Sequence, residues 1–285
     1  MGRTFIIART TYSFITRQGL YYLVLITLAV MIYMLKHLTL FSFSQEANSI
    51  REMGIATFSL WGLIIVVIMA GPIITQELED KTAVTILTKP IRRSDFLLGK
   101  FFGTLGAILV GQIFLTAVLI YTLWSYISFD LLQGAAFRDV TGHEKATVYE
   151  FLYGAFIEKN VVLVAEGSLL GFLQISIISA ICIACAAFFP VVVTVSTTML
   201  IYIIGNLSAY MKASIHKIGF LPLDLIANFI YYAFPNLGYF NLQAAFSEGR
   251  MISVTYMASV FIYTAAYVTI VTMLATMLFE RREIK

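Results

Sequence analysis

Glu77-Leu78-Glu79-Asp80-Lys81, then Lys89-Pro90-Ile91-Arg92-Arg93, Asp95 and finally Gly99-Lys100 interrupt a sequence that is otherwise uncharged from residue 55 to residue 129. Five cationic and four acidic side chains stand within these 24 residues. Charge is costly at the centre of a bilayer, so an insert of this kind lies outside it, in water or against a partner. The apolar segments on either side are then membrane crossings, and the fold follows from counting them.

Composition agrees. Apolar residues make up 60% of the chain and charged residues 12%, where soluble domains have about half and about a quarter. Mean hydropathy is +0.88. The net charge of +3 is too small to imply nucleic-acid binding. Cys182 and Cys185 sit in an apolar run and imply no disulfide framework. Arg3, Arg9 and Arg17 precede the first apolar run, which ends in Lys36-His37 without a small-residue cleavage site, so an uncleaved first span is expected.

A crossing needs about 20 apolar residues. Candidates are 20–43, 55–76, 101–129, 167–189, 191–211 and 252–279, all within one transmembrane domain, 1–285. The uncharged run 167–211 would measure about 67 Å as one helix. Pro190 divides it, because proline cannot continue the helical ladder. The aromatic stretch Asn228 to Asn241, broken by Pro235 and Gly238, tests the count. As a seventh span it would separate the termini, yet both carry clustered Arg and Lys. The positive-inside rule favours six spans with both ends in the cytoplasm of a cell inner or plasma membrane. Residues 222–247 are then expected as a re-entrant or interfacial hairpin on the outer side, where irregular backbone must be covered by protein or water. On this topology the cytoplasmic side holds 11 cationic and 6 acidic residues, and the outer segments carry a net −2. Residues 127–166 become an outer loop with an amphipathic piece near 148–159.

Within the insert, Glu77, Glu79 and Asp80 occupy what would be the first turns of a short helix, where the helix dipole favours acids. Pro90 ends that helix, and Ser94 is a candidate N-cap for the third span, with Asp95 in its first turn. In segment 4–18, Phe5, Ala8, Tyr12 and Ile15 share one face while Arg3, Thr10 and Arg17 share another, as in a helix lying in the membrane interface. The chain is thus expected to be an all-α membrane protein with an N-terminal amphipathic interface helix and a cytoplasmic docking helix.

These residues resemble type-2 ATP-binding cassette transporter permeases. The likeness rests on Glu77, Glu79, Thr82, Ile86-Leu87, Pro90-Ile91, Arg93 and Phe96 to Lys100, on Phe234-Pro235-Asn236-Leu237 with Phe240-Asn241, and on Phe279-Glu280-Arg281-Arg282-Glu283. The nearest branch is that of the multi-copper-enzyme maturation permeases. The resemblance implies a transmembrane subunit, paired with a second permease copy or paralogue, that exports substrate. A separate cytoplasmic ATPase would dock on the coupling helix near 77–88 through Glu77, Glu79, Asp80, Thr82, Leu87, Pro90 and Arg93. ATP and Mg²⁺ would bind that partner and no cofactor this chain. Gly99-Lys100 is no P-loop, with Ser94 where the first Gly belongs and Phe101 where the hydroxyl belongs.

Other patterns carry less. Cys182 and Cys185 lie one turn apart and thiolates suit Cu(I), but without flanking acid or His they read as small apolar residues. Met31/Met34 and Met273/Met277 read as core filling. Gly99/Gly103 and Gly167/Gly171 permit close helix approach, within the subunit or at a dimer seam. Gln112, Gln174, Ser176, Ser179, Asn206 and Ser208 are polar groups inside spans that bond other helices or line a pathway. His143-Glu144 has no second His at Thr147, and no Gly-x-Ser-x-Gly elbow occurs, so no catalytic or metal residue is assigned. The competing reading is an ion-gradient-driven secondary transporter or another polytopic membrane protein. A gradient-driven carrier usually has ionisable groups near the membrane midplane, and the five later spans as drawn contain none.

Overall fold

A computed structural model of the chain describes residues 2–38, 46–79, 93–138, 160–218, 228, 231, 234–241 and 252–281. Among the described residues six helices are long and apolar enough to cross a membrane: Gly19–His37, Ala47–Glu77, Ser94–Ser128, Val162–Ala186, Val191–Ser208 and Val254–Glu280. The chain is a multi-pass membrane protein, helical wherever regular structure is described. Helices satisfy their own backbone groups, which lipid cannot do.

Helix α1 (Gly2–Arg17) and α2 (Gly19–Leu38) meet at a bend at Gln18. The second crossing is α3 (Glu46–Ile64), a π-helical segment (Ile65–Ala70) and α4 (Gly71–Glu79) in unbroken succession. Then follow α5 (Arg93–Arg138), α6 (Val162–Ala186), α7 (Val191–Ile218), a short 3₁₀ turn (Leu237–Phe240) and α8 (Val254–Arg281).

Pairwise contacts fix the directions. Tyr21 Oη donates to the Ala107 carbonyl and Lys36 Nζ to Ser125 Oγ, so α2 runs parallel to α5. Trp61 Nε1 donates to the Ile108 carbonyl, and Gly54 lies against Leu119, so α3 runs antiparallel to α5. Ile55 meets Gly167 and Gly62 meets Ile175, which makes α6 parallel to α3. Gln174 reaches Asn206, and Gly71, which touches Cys182, also touches Thr194, so α7 returns antiparallel. Glu166 accepts a bond from the Ile252 amide at one end, and Phe188 stacks edge-on with Phe279 at the other, so α8 descends beside α6. Helix α7 therefore finishes at the end where α8 begins. Helix α6 is the central post: 78% of its spanning window is buried, against 17% for α8.

Pro190 stands between α6 and α7, as expected. The turn is closed by the Phe188 and Phe189 amides on the Cys185 carbonyl, and the Thr194 amide bonds the Pro190 carbonyl. Other boundaries differ. The second crossing starts at Glu46 rather than 55, which brings Arg51 and Glu52 into the helix. Helix α5 has 46 residues, about 69 Å at 1.5 Å each, and so overruns the expected 101–129 at both ends. Helicity thus continues to Arg138 into what the sequence suggests is outer loop. Its amphipathic piece at 148–159 lies outside the described residues.

Helix α1 also differs in detail. Its buried row is Ile7, Thr11 and Ile15, with Ala8 and Tyr12 half-buried and Phe5 exposed. The reason is the glycine pair on α5. A Cβ at Gly99 would lie 2.7 Å from Ile7 Cβ, and one at Gly103 would lie 2.5 Å from the Ala8 carbonyl oxygen. Helix α1 nests in that groove, and Thr4 Oγ1 donates to Asp95 Oδ1 at its start. The Gly167/Gly171 pair is likewise used inside the chain, against Ile55 and Phe58.

Residues one turn apart on this seam provide a test. At Gly106 a Cβ would meet only Tyr12 Cδ2 at 3.5 Å. Gly106→Ala should leave stability unchanged or raise it by up to about 1 kcal/mol through helix propensity. Gly103→Ala should instead lower the unfolding midpoint in detergent, with overpacking costing about 1–3 kcal/mol. Equal midpoints would mean α1 does not dock here.

Candidate functional site

Two places concentrate polar chemistry in an otherwise apolar bundle. The first is the neck from which the charged insert departs. Glu77, near the end of α4, and Lys100, two turns into α5, form an ion pair with Nζ 2.6 Å from Oε1. The Lys100 side chain is only 6% exposed and that of Glu77 28%. The Phe96 ring faces the same ammonium at 5.6 Å, a cation–π arrangement. Ile74, Phe96, Leu97, Phe101, Ile183 and Phe279 pack into one buried cluster around this pair. Four crossings and the 187–190 turn are joined there. The insert thus leaves from a rigid joint rather than from two loose helix ends.

Of the residues proposed for docking, Glu77 is placed in the joint. Glu79 and Arg93 are the backbone ends of α4 and α5, and their side chains lie outside the described residues, as do Asp80, Thr82, Leu87 and Pro90 entirely. The helix expected over 77–88 is seen only to Glu79.

Directly above the joint, the second crossing carries six residues of π-helix. Pro72 has no N–H to offer the Ile68 carbonyl, and its ring crowds that carbonyl. The Gly71 amide bonds the Val66 carbonyl five residues back, and the Cys182 thiol points to the same oxygen at 3.6 Å. Cys182 is fully buried and Cys185 half-buried, both as free thiols. Among the described residues no group of three or more His, Cys, Asp and Glu could hold a metal ion.

The second place is a cavity of about 290 Å³ between α3, α6, α7 and the 3₁₀ turn. Ser59, Gln174, Tyr202, Asn206 and Asn241 supply its polar lining, and Ile55, Leu60 and Phe240 its apolar lining. Ser59 Oγ donates to Gln174 Oε1 (2.9 Å), Gln174 Nε2 to Asn206 Oδ1 (3.0 Å), and Asn206 Nδ2 to the Tyr202 carbonyl. Three crossings are stitched together by this relay. Among the described lining residues none is Asp, Glu, Lys, Arg or His. Nearby, Gln112 Nε2 donates to the Ser168 carbonyl at 2.6 Å, while its Oε1 is buried without a partner among the described residues.

The 3₁₀ turn closes the cavity. Asn236 Oδ1 accepts from the Gly238 amide, its own amide donates to Tyr263 Oη, and Tyr256 Oη donates to the Tyr239 carbonyl. Leu237 is fully buried against Gly205, where a Cβ would lie 2.8 Å from Leu237 Cγ. The Tyr231 and Tyr239 hydroxyls are 3.0 Å apart, and their hydrogen bond pulls the Tyr231 phenol down and pushes that of Tyr239 up. Irregular backbone is here covered by protein on the α7 and α8 sides.

Sequence inspection identified Gln174 and Asn206 as polar residues inside spans but not their partnership, which joins residues 32 apart. The Lys100–Glu77 pair was equally hidden, although one acid and one base flanking the insert were visible. Arg51 was placed in a linker. It is buried in α3, with Nη1 on Asn160 Oδ1 and Nη2 on Asn48 Oδ1, at the end of the crossing far from the joint. Comparison with protein-family models and with curated proteins finds no match for the chain.

Removing one partner of the Lys100–Glu77 pair should harm more than removing both. Lys100→Met takes the cation away from a largely buried carboxylate, and the loss should fall below the roughly 3–5 kcal/mol of a fully buried pair, because Glu77 keeps contact with solvent. Adding Glu77→Leu should recover part of that loss. Thermal unfolding of the two variants in detergent checks the order.

Proposed function

We propose that the chain is the membrane-spanning permease subunit of a type-2 ATP-binding cassette transporter, nearest to the multi-copper-enzyme maturation branch. It exports substrate and acts with a second permease copy or paralogue. Both termini and the insert 77–100 face the cytoplasm of the cell inner or plasma membrane. A separate ATPase grips the insert through the coupling helix near 77–88, and ATP and Mg²⁺ bind that partner. Helix α1 sits at the cytoplasmic interface, where Phe5, Ile6 and Phe14 are exposed beside Arg9 and Arg17, and 222–247 forms the outer hairpin.

The observation that carries this reading is the joint. The charged insert is anchored at both of its roots by one ion pair inside an apolar cluster that also holds Phe188 of the 187–190 turn and Phe279 of α8. A push on the insert therefore reaches several crossings at once. Through α4 it also reaches the π segment, an irregularity frequent at functional sites, and beyond it the cavity wall at Ser59. A gradient-driven carrier would place an acid, base or histidine in such a cavity, and the described lining has none of these.

Two measurements test the proposal. A soluble ATPase should co-purify with the chain in mild detergent, and Leu87→Asp or Glu79→Arg should release it while the permease keeps its unfolding midpoint. A permease that never retains an ATPase counts against the reading. Separately, Ser94→Cys in intact cells should react with membrane-permeant maleimide only. Labelling by an impermeant reagent from outside would invert the topology and remove the docking role.

A further inference from the structure

The cavity between α3, α6 and α7 has features that restrict what it can hold. Its wall is mostly hydrocarbon with amides and hydroxyls set into it, and the described lining carries no Asp, Glu, Lys, Arg or His. An ion entering it would lose hydration without meeting a counter-charge, which costs several kcal/mol or more. Gly171 contributes space: a Cβ there would make only ordinary contact, 3.4 Å from Phe58 Cβ. At about 290 Å³ the cavity is near the lower bound of small-molecule sites, roughly 300–1,000 Å³.

Its mouth is also informative. Leu60 on the rim is 43% exposed, and Ile203 and Leu207, next to Tyr202 and Asn206 on α7, are each 49% exposed. Exposed apolar side chains thus adjoin the lining on both helices, as on a surface that meets hydrocarbon. The polar groups lie deeper, on Gln174 and Asn206. Each amide in the relay has bonding capacity left over, because an Asn or Gln side chain offers two N–H donors and two lone pairs.

We propose that this cavity is a binding site for an uncharged amphiphile that enters sideways from the membrane. The ligand's hydroxyl or amide head bonds Gln174 and Asn206, and its first methylenes lie against Ile55, Leu60 and Phe240. That this ligand is cargo rests on the transporter reading. That it binds does not.

The test uses the full chain in phosphatidylcholine nanodiscs, with empty nanodiscs subtracted. Three probes share one eight-carbon chain: 1-monooctanoylglycerol (neutral), octyl phosphate (anionic) and octylammonium (cationic). Calorimetric titration should show saturable binding of the glycerol ester at least tenfold tighter than of either charged probe. Asn206→Leu should weaken it about tenfold, the equivalent of one hydrogen bond of about 1.4 kcal/mol. Gly171→Ala, which trims the cavity and leaves the relay intact, should also weaken it if Asn206→Leu fails to fold. Uptake of all three probes alike and without saturation, or tighter binding of a charged probe, overturns the proposal. So does neutral binding that neither variant alters. Because binding is read without any ATPase, its outcome is separable from failure of ATPase co-purification.

Discussion

Hydrocarbon offers no hydrogen bonds, and this chain is organised by that fact. Each polar side chain inside a crossing must find its partner in the protein or leave a group stranded at a cost of several kcal/mol. The central post α6 collects these debts. Gln174 joins α3 to α7, Ser168 receives Gln112 from α5, and the Cys182 thiol meets the π segment. Apolar packing alone gives little preference for one helix neighbour over another in lipid, because lipid tails are as apolar as leucine. A few directional bonds therefore choose the register, and glycines let the backbones come close enough to form them.

The same logic accounts for the two polar sites. At the joint, charge is drawn beneath an apolar cover only because acid and base arrive together from adjacent crossings. In the cavity, amides replace charge, and the relay holds three helices around a space instead of closing them. Between the two lies the π segment, where Pro72 removes a backbone bond and Gly71 permits close approach of Cys182 at 3.1 Å from a Cβ position. The second crossing thus carries joint, π segment and cavity wall in sequence along one rod.

Much of the architecture was legible in the residues. Charge-free runs gave six crossings, Pro190 divided the longest of them, and clustered arginines argued against a seventh. Span ends were less legible, because a helix such as α5 continues past its apolar stretch once neighbours satisfy its surface. Arg51 illustrates the limit: a cation marks a boundary by composition, yet two asparagines, one of them 109 residues away, let it stay inside. The packed face of α1 is only partly legible for a similar reason: Ala8, Tyr12 and Ile15 lie on or beside it, but hydrophobicity alone does not reveal that glycines on α5 invite Ile7 and Thr11. Pro72 was a visible signal of the π turn that an apolar count passes over. The cavity had no signal of its own, because a space is made by residues that fail to meet.

The great length of α5 has a mechanical consequence. Near 69 Å, it is more than twice the ~30 Å hydrocarbon thickness, so it projects beyond the membrane's apolar layer. A rod of that length pivoting about its middle by about 5° swings each tip by about 3 Å, roughly two residues of helical rise. The foot of this rod is Arg93, where the insert returns to the bundle, so a tilt at that end would carry the same displacement to the opposite end.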